Sequence, residues 1–562
     1  MAQPPPRQPK QSPLQWVHID DFSPGCYDGS NIASEQPALS TVPLGAADLT
    51  QTYACSSIAG GALGPLPALT QQWNYSALGG GLPGASTYSV ITAFIVVPQL
   101  NTGNYEVVIV TESDDGSNHF VKAFSFVPAT TVVTGIAGPT NTSGSTGGGI
   151  FGAPYPAFTR MTSGGTGNPP PILIFPGAVA TDANGVSGHL WVYPSLSSPT
   201  TFSAQDLVTA GSTNSGQMIT YGNRVICMVG KTYSWPTGSG VNTNENFNYT
   251  DPPESSSYGN QQTIMGIEIP WGYGAWGTIS VGELILIKKY GGAVILNGDI
   301  NVPSSIIRMP GVQATGDIVG RAEATSIGLV YCSQDRGAWI WNGGNTANKI
   351  SANIDDNFFD LELNRVGSSN YGFYCYQWQK WVMFSNNIVY DTTTGGWWKL
   401  QPSRGQAGAA GREIFWYSLT QNGNQMATAP LRLDSNSEVF MSVFDNRVPA
   451  SSYQWTSLPI HVVNDADRVI DVRQVVIRAS DPTNSGHAVL QVVIGSFNVN
   501  STETIHATPT PIRLNVGGAG GTNLTYDIPF QIVCSNTSGN SAPIIHSIDI
   551  GYTVRASVGV NN

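Results

Sequence analysis

Ser333, Asp335 and Gly337 stand at the spacing of an Asp-box, Ser-x-Asp-x-Gly-x-x-Trp, within the stretch SQDRGAWIWNGG at residues 333–344. The chemistry to test first is therefore glycoside hydrolysis of the sialidase type. The match breaks at the aromatic: Trp339 comes one residue early and Ile340 takes its place. The motif in any case closes a hairpin, its Asp accepting turn amides, and supplies no catalytic group. A sialidase also needs arginines converging on a carboxylate and a Tyr–Glu nucleophile pair. The nearest local pair is Tyr390-Asp391, and its setting, YDTTTGGWW, makes Asp391 a turn cap.

Other chemistry-bearing patterns fail on their surroundings. MVGKT at residues 228–232 copies the end of a phosphate loop, but Val225 stands where the first Gly is required. TYSWP follows it instead of a helix, and without a helix N-terminus the phosphate cradle cannot form. The histidines, His18, His119, His189, His461, His487, His506 and His546, include no pair at i+2 to i+4. Asp114 and Asp115, in the acidic run TESDDGSN, could ligate Ca²⁺ but read as a solvated turn. No Gly-x-Ser-x-Gly elbow occurs in a strand-turn-helix setting. No catalytic, cofactor-binding or metal-ligating residue is assigned, and no enzyme activity is expected. Trp339, Trp341, Trp378, Trp381, Trp397, Trp398 and Trp416 could stack on sugars; gap-filling between sheets or subunits is the favoured role.

Composition says which elements must hold these residues. Only 11% of the 562 residues are charged, against roughly 25% in ordinary globular proteins. Polarity comes from Ser, Thr, Asn, Gln and 64 glycines, a mixture that suits strands and turns. Low charge also suits surfaces covered by neighbouring subunits. The net charge of −12 argues against a nucleic-acid binder, which needs a basic footprint. Cys26, Cys55, Cys227, Cys332, Cys375 and Cys534 are scattered, with no Cys-x-x-Cys pair, and read as free buried thiols. The amino terminus lacks the apolar core of a signal peptide, and no run reaches the ~18 apolar residues of a membrane span.

The first ~13 residues, rich in Pro and Gln, read as an extended arm. From about residue 88 a loose grammar repeats: a β-type run, a short polar turn, and an aromatic return strand. Its apolar centres are YEVVIV, HLWVYP, NRVICMVGKTYSW, ELILIKKYGGAVILNG, GLVYCSQDRGAWIWNGG, KWVMFSNNIVYDTTTGGWWKL and LRLDSNSEVFMSVFD. The later ones recur at roughly the 45–60-residue spacing of propeller blades. Six blades are expected within a range of five to seven. One helix is expected, starting at Ser351 as N-cap in SANIDDNFFDLEL. From about Trp455 longer strands follow: RVIDVRQVVIRA, HAVLQVVIGSF, TPIRLNV, TYDIPFQIVCS and IIHSIDIGYTV. They predict a β-sandwich. The expected all-β partition is thus an arm and lead-in over 1–87, packed partly on the propeller or on neighbouring subunits, a β-propeller-like domain over 88–454 and a sandwich over 455–562.

IDDFSPGCYD at residues 19–28, with GAADLTQTYAC and GGALGPLP after it, resembles the opening of tailed-bacteriophage virion proteins. So does the run through Trp341-Asn342-Gly343 and Lys349-Ile350-Ser351, followed by NNIVYDTTTGGWWKL. The resemblance is to the tail hub or nozzle proteins of short-tailed phages and related minor tail proteins. It implies a structural virion protein made in the host cytoplasm. It further implies a ring homo-oligomer, most often a hexamer, that contacts adaptor and tail-fibre proteins. Viral DNA would pass through the lumen without specific binding, because acidic walls repel phosphate. The rival expectation is a carbohydrate-binding or glycan-degrading propeller at the tail tip.

Overall fold

The computed structural model of the chain describes residues 13–27, 43–74, 88–98, 105–114, 119–127, 132–136, 157–160, 171–176, 189–193, 203–206, 215–221, 224–229, 246–250, 261–263, 275–280, 284–288, 292–299, 302–308, 318–333, 337–354, 375–384, 388–400, 412–413, 417–421, 424–432, 439–462, 468–516, 524–525 and 527–556. Almost everything among them is strand; the exception is a single 3-10 turn at Ala59–Gly61. No helix among them is long and apolar enough to cross a membrane. The chain divides into two compact units.

One unit comprises residues 70–387 and 403–444. Its strands belong to seven antiparallel sheets, one for each apolar centre of the sequence repeat. In the first six, four consecutive strands pair in chain order, as in Tyr88–Pro98, Tyr105–Asp114, His119–Val127 and Val132–Ile136. The first strands of successive sheets approach one another: Ala157–Arg160, Ser215–Tyr221, Ala275–Ser280, Ile318–Thr325 and Cys375–Trp378. In the last sheet Tyr417–Gln421 lies against Tyr88–Pro98 of the first. This is a β-propeller-like fold, with seven sheets, the upper end of the expected five to seven.

The seventh sheet draws on both ends of the repeat. Asn424–Arg432 pairs with Val439–Pro449, which pairs in turn with Pro67–Asn74 from the other end of the repeat. Its apolar centre is visible in the repeat, but its strand from more than 300 residues away is not.

The second unit comprises residues 1–69, 388–402 and 445–562 and contains the sandwich. All five predicted strands form. Ala488–Ile494 and Phe530–Asn536 bury every second side chain, the period expected of sheets with one face in the core. One sheet runs Ser452–Thr456, Phe530–Asn536, Ala488–Ile494, Phe497–Asn500. In the other, Arg468–Ser480 lies between Thr510–Asn515 and the long strand Ile544–Ala556.

The far edge of Ile544–Ala556 takes up chain from the other end of the sequence: Gln15–Ile19 in antiparallel register, then Leu63–Pro65 and Cys55–Ser57. Residues 1–69 of the lead-in therefore count with the sandwich unit, while Pro67–Asn74 pairs into the last propeller sheet. The division falls at 69 and 444, where 87 and 454 were expected, and residues 388–402, expected in the propeller, count with the sandwich unit. The helix predicted from Ser351 begins as a turn over residues 351–354, and its remainder lies outside the described residues, as does the arm at 1–12.

Candidate functional site

The hairpin that first suggested chemistry is a blade turn. Leu329, Val330, Tyr331 and Cys332 pair with Trp341, Ile340, Trp339 and Ala338. Gly337 takes φ 98°, a left-handed conformation that glycine reaches without strain. The Trp341 indole N–H donates to the Gly344 carbonyl at 2.7 Å, closing the second turn. Ser351, read as a helix cap, instead accepts the Ala338 amide at 2.9 Å and pins the strand start. Asp335 lies outside the described residues.

Asp391 occupies the place predicted for it. The strand Ile388–Asp391 is buried throughout, and at its end Asp391 Oδ1 accepts the Thr393 amide at 2.9 Å and the Thr393 hydroxyl. The Tyr390 ring lies 5.0 Å from Trp397, and burial raises the pKa of its phenol, with the Asp391 charge adding to the shift. A Tyr–carboxylate pair acting in hydrolysis would need an open face. This one closes a hairpin.

That hairpin meets the amino-terminal motif. A Cβ on Gly25 would stand 2.6 Å from the Trp397 amide nitrogen and 2.7 Å from Gly396 Cα, so the two backbones touch. Asp21 Oδ1 accepts the Ser23 amide at 2.9 Å, and Phe22, wholly buried, sets its ring 5.4 Å from Trp455. The Ala54 amide donates to the Lys399 carbonyl at 2.9 Å. Parts of two stretches that carry the family resemblance, residues 19–27 and 388–400, are thus joined in one packed region of the sandwich unit.

Asp391 is one of three buried carboxylates among the described residues; the others are Asp471 and Asp481. Arg473 Nη2 lies 2.5 Å from Asp471. Asp481 accepts the amide and hydroxyl of Thr483 and of Ser485, at 2.6–2.9 Å. Burial alone would raise the Asp481 pKa; those four donors outweigh it and hold it below the usual carboxylate value. Asn536 Nδ2 donates to Ser485 at 3.0 Å and to the Ser541 carbonyl at 3.1 Å, extending the network. A depressed folded pKa contributes stability that is present above the unfolded value and lost as pH falls through the folded one. Asp481→Ala should therefore cost about 2–4 kcal/mol at neutral pH. It should also flatten the decline of stability between about pH 5 and pH 2. Urea unfolding of both proteins across that range tests this, and equal acid limbs would refute it.

Cys26, Cys55, Cys332 and Cys534 are buried thiols outside any disulfide. Burial raises the Cys26 and Cys55 thiols well above the ordinary value and pushes Cys534 up to about 12. At neutral pH these three are protonated and lack the thiolate that attacks electrophiles. Peptides containing the four cysteines should escape iodoacetamide in native protein at about pH 8 and be labelled fully in guanidinium. Mass spectrometry reads this, and native labelling of Cys55 or Cys534 would contradict the burial.

Two histidine contacts had no local signal. Ser480 Oγ and His546 Nε2 share a hydrogen bond of 2.9 Å, and burial lowers the His546 pKa, so the imidazole is neutral at pH 7. A Ser–His contact can activate a nucleophile, but Ser480 is itself buried, and the bond ties the ends of the two longest strands together. His18 faces Asp549 across the paired strands and reaches Asp20 at 3.2 Å. Its pKa is raised chiefly by the hydrogen bond to Asp549. Among the described residues no cluster of three or more His, Cys, Asp or Glu is placed to hold a metal. The side chains of the acidic run 111–118 and of MVGKT lie outside them.

The tryptophans separate by burial. Trp378, Trp397 and Trp398 are at most 1% exposed, and Trp381 is 8% exposed, stacked on Trp378 at 5.6 Å. Trp339 and Trp341 are half-buried, and Trp416 lies outside the described residues. Among the described residues the open indole is Trp16, 47% exposed, which the sequence reading passed over. Its signal was the alternation of Trp16, Val17, His18 and Ile19, which puts Trp and His on one face.

No protein-family model matches the chain, and no curated protein matches it. Solved structures similar to it include the Trypanosoma rangeli sialidase, at 8% identity and TM-score 0.31, covering 90% of this chain and 96% of that one. An arabinanase from Penicillium chrysogenum is 11% identical at TM-score 0.32, covering 69% and 99%. The WD40 repeats of RRP9 are 9% identical at TM-score 0.36, covering 67% and 99%. Likeness at this level concerns the fold alone.

Proposed function

We propose that the chain is a structural component of a bacteriophage tail, a hub- or nozzle-like subunit that forms part of a ring around the DNA exit channel and performs no catalysis. The observation that carries this reading is the use made of the resemblance-bearing residues. Phe22, Gly25, Asp391, Gly396 and Trp397 serve packing and turn formation in one region of the sandwich unit. Motifs spent on architecture suit a protein whose work is mechanical. Low charge supports the same reading, since subunit interfaces are depleted in charged residues. A ring of acidic subunits would let DNA slide without being held. Its partners would be further copies of itself, most simply six copies in all, with adaptor and fibre proteins outside the ring.

Mass photometry and electron microscopy of the purified protein test this directly. A closed ring with a lumen wide enough for duplex DNA is expected. A protein that remains monomeric at micromolar concentration and joins no ring with tail adaptor proteins would overturn the reading, because a conduit requires closed symmetry.

A further inference from the structure

We propose that the outer face of the larger sandwich sheet is a saccharide-binding site in which Trp16 stacks on a pyranose ring. Trp16 sits opposite Gly551 in the register of Gln15–Ile19 with the carboxy-terminal strand. A Cβ on Gly551 would lie 3.0–3.3 Å from Cζ3, Cη2 and Cε3 of the indole. The six-membered ring therefore rests on the glycine backbone. One face of the indole is covered by the sheet, yet the residue stays 47% exposed, so the other face is open to solvent.

What surrounds that open ring is polar and laid out by the strands. Gly551 also pairs with Gln474, and Gln474 with Asn515, so Trp16, Gly551, Gln474 and Asn515 form one row across four strands. His18 and Asp549 stand side by side in the next row. Neighbouring strands lie about 4.8 Å apart, so the amides of Gln474 and Asn515 reach roughly 10–15 Å from the indole, the length of two to three linked sugar rings. Opposite parity is buried: Val17, Ile19, Val475, Leu514 and Ile550 face the core. The polar row therefore belongs to the outer surface.

A pyranose has an apolar C–H face and a rim of hydroxyls. It is recognised by a flat π-surface with fixed donors and acceptors beside it. Leu14, two positions before Trp16, is also exposed, but the row across the sheet beyond the indole is polar, which fits that chemistry better than it fits an apolar protein surface. This inference does not rest on the ring reading. It requires only the sandwich unit.

Affinity electrophoresis of the full-length protein through gels containing dextran, laminarin or soluble peptidoglycan fragments provides the test, with mass photometry of the same samples. Retardation by at least one of the three is expected. Binding should weaken about tenfold or more in Trp16→Ala, and also in Gln474→Ala and Asn515→Ala. Trp16→Phe, which still covers Gly551, should lose less. If Trp16→Ala releases its strand, seen as a lower melting temperature, the Gln474 and Asn515 variants decide. No retardation on any polysaccharide would overturn the proposal, as would variants that bind like the parent. A shift of the sugar-free oligomer distribution in these variants would also overturn it, since the face would then be a contact between copies. Ring formation without sugar binding would sink this inference and leave the tail reading standing; sugar binding by a persistent monomer would do the reverse.

Discussion

Gly25→Ala is expected to destabilise the sandwich unit by about 3 kcal/mol or more, well beyond the effect of the same change at Gly60. Both glycines have positive φ, 71° and 81°, so both replacements incur the left-handed penalty of about 1–2 kcal/mol. They differ in what the new methyl group meets. At Gly60 nothing lies within 4 Å. At Gly25 the methyl would overlap the backbone of Gly396 and Trp397 at 2.6–2.9 Å, and backbone cannot rotate aside as a side chain does. The Ala47 amide donates to the Gly25 carbonyl at 3.0 Å, so a shift at residue 25 also disturbs the strand pair Cys26–Tyr27 and Ala47–Asp48. Guanidinium unfolding of the two variants beside the parent reads the difference. Equal losses would show that the approach of residues 25 and 396 contributes nothing.

Trp455→Ala should cost about 3–5 kcal/mol, the range for deleting a large buried aromatic. Trp455 is wholly buried, its ring 5.4 Å from Phe22 and 6.2 Å from Phe530. It joins the amino-terminal turn to a strand of the smaller sandwich sheet, so the cavity would open at the centre of the unit. Trp455→Phe makes the sharper comparison. The indole N–H has no hydrogen-bond partner among the described residues, and a buried donor left unpaired is itself costly. Removing it offsets part of the lost volume, so Trp455→Phe should stay within about 1–2 kcal/mol of the parent. Thermal and denaturant unfolding would measure both. A phenylalanine variant as unstable as the alanine variant would mean that the N–H is satisfied in solution.

Much of the fold was legible because strands and turns announce themselves within a few residues. Alternation in HAVLQVVIGSF and TYDIPFQIVCS located two strands whose buried positions alternate as read. Asp391 could be placed as a cap from YDTTTGG alone, because an Asp side chain reaches the amides two and three positions on. The seven apolar centres matched seven sheets one for one.

Partnership across the chain was not legible. His18 meets Asp549 from 531 positions away, and the Thr456 amide donates to the Thr52 hydroxyl from 404 positions away. No local pattern encodes such partners. They are selected by which apolar faces can be buried together, a property of the assembled sheets. The candidate site depended on this too. Trp16 was not among the tryptophans weighed, while Trp378, Trp397 and Trp398 were expected to fill gaps; only the register opposite Gly551 leaves the first open, and sheet packing buries the others. By itself the amino-acid sequence determined that this is an all-β chain of repeated hairpins followed by a sandwich, because strand period and turn chemistry act over short distances. The tertiary structure decided that the amino-terminal strands complete the carboxy-terminal sheet and which tryptophan faces solvent, because burial is settled by contacts hundreds of residues apart.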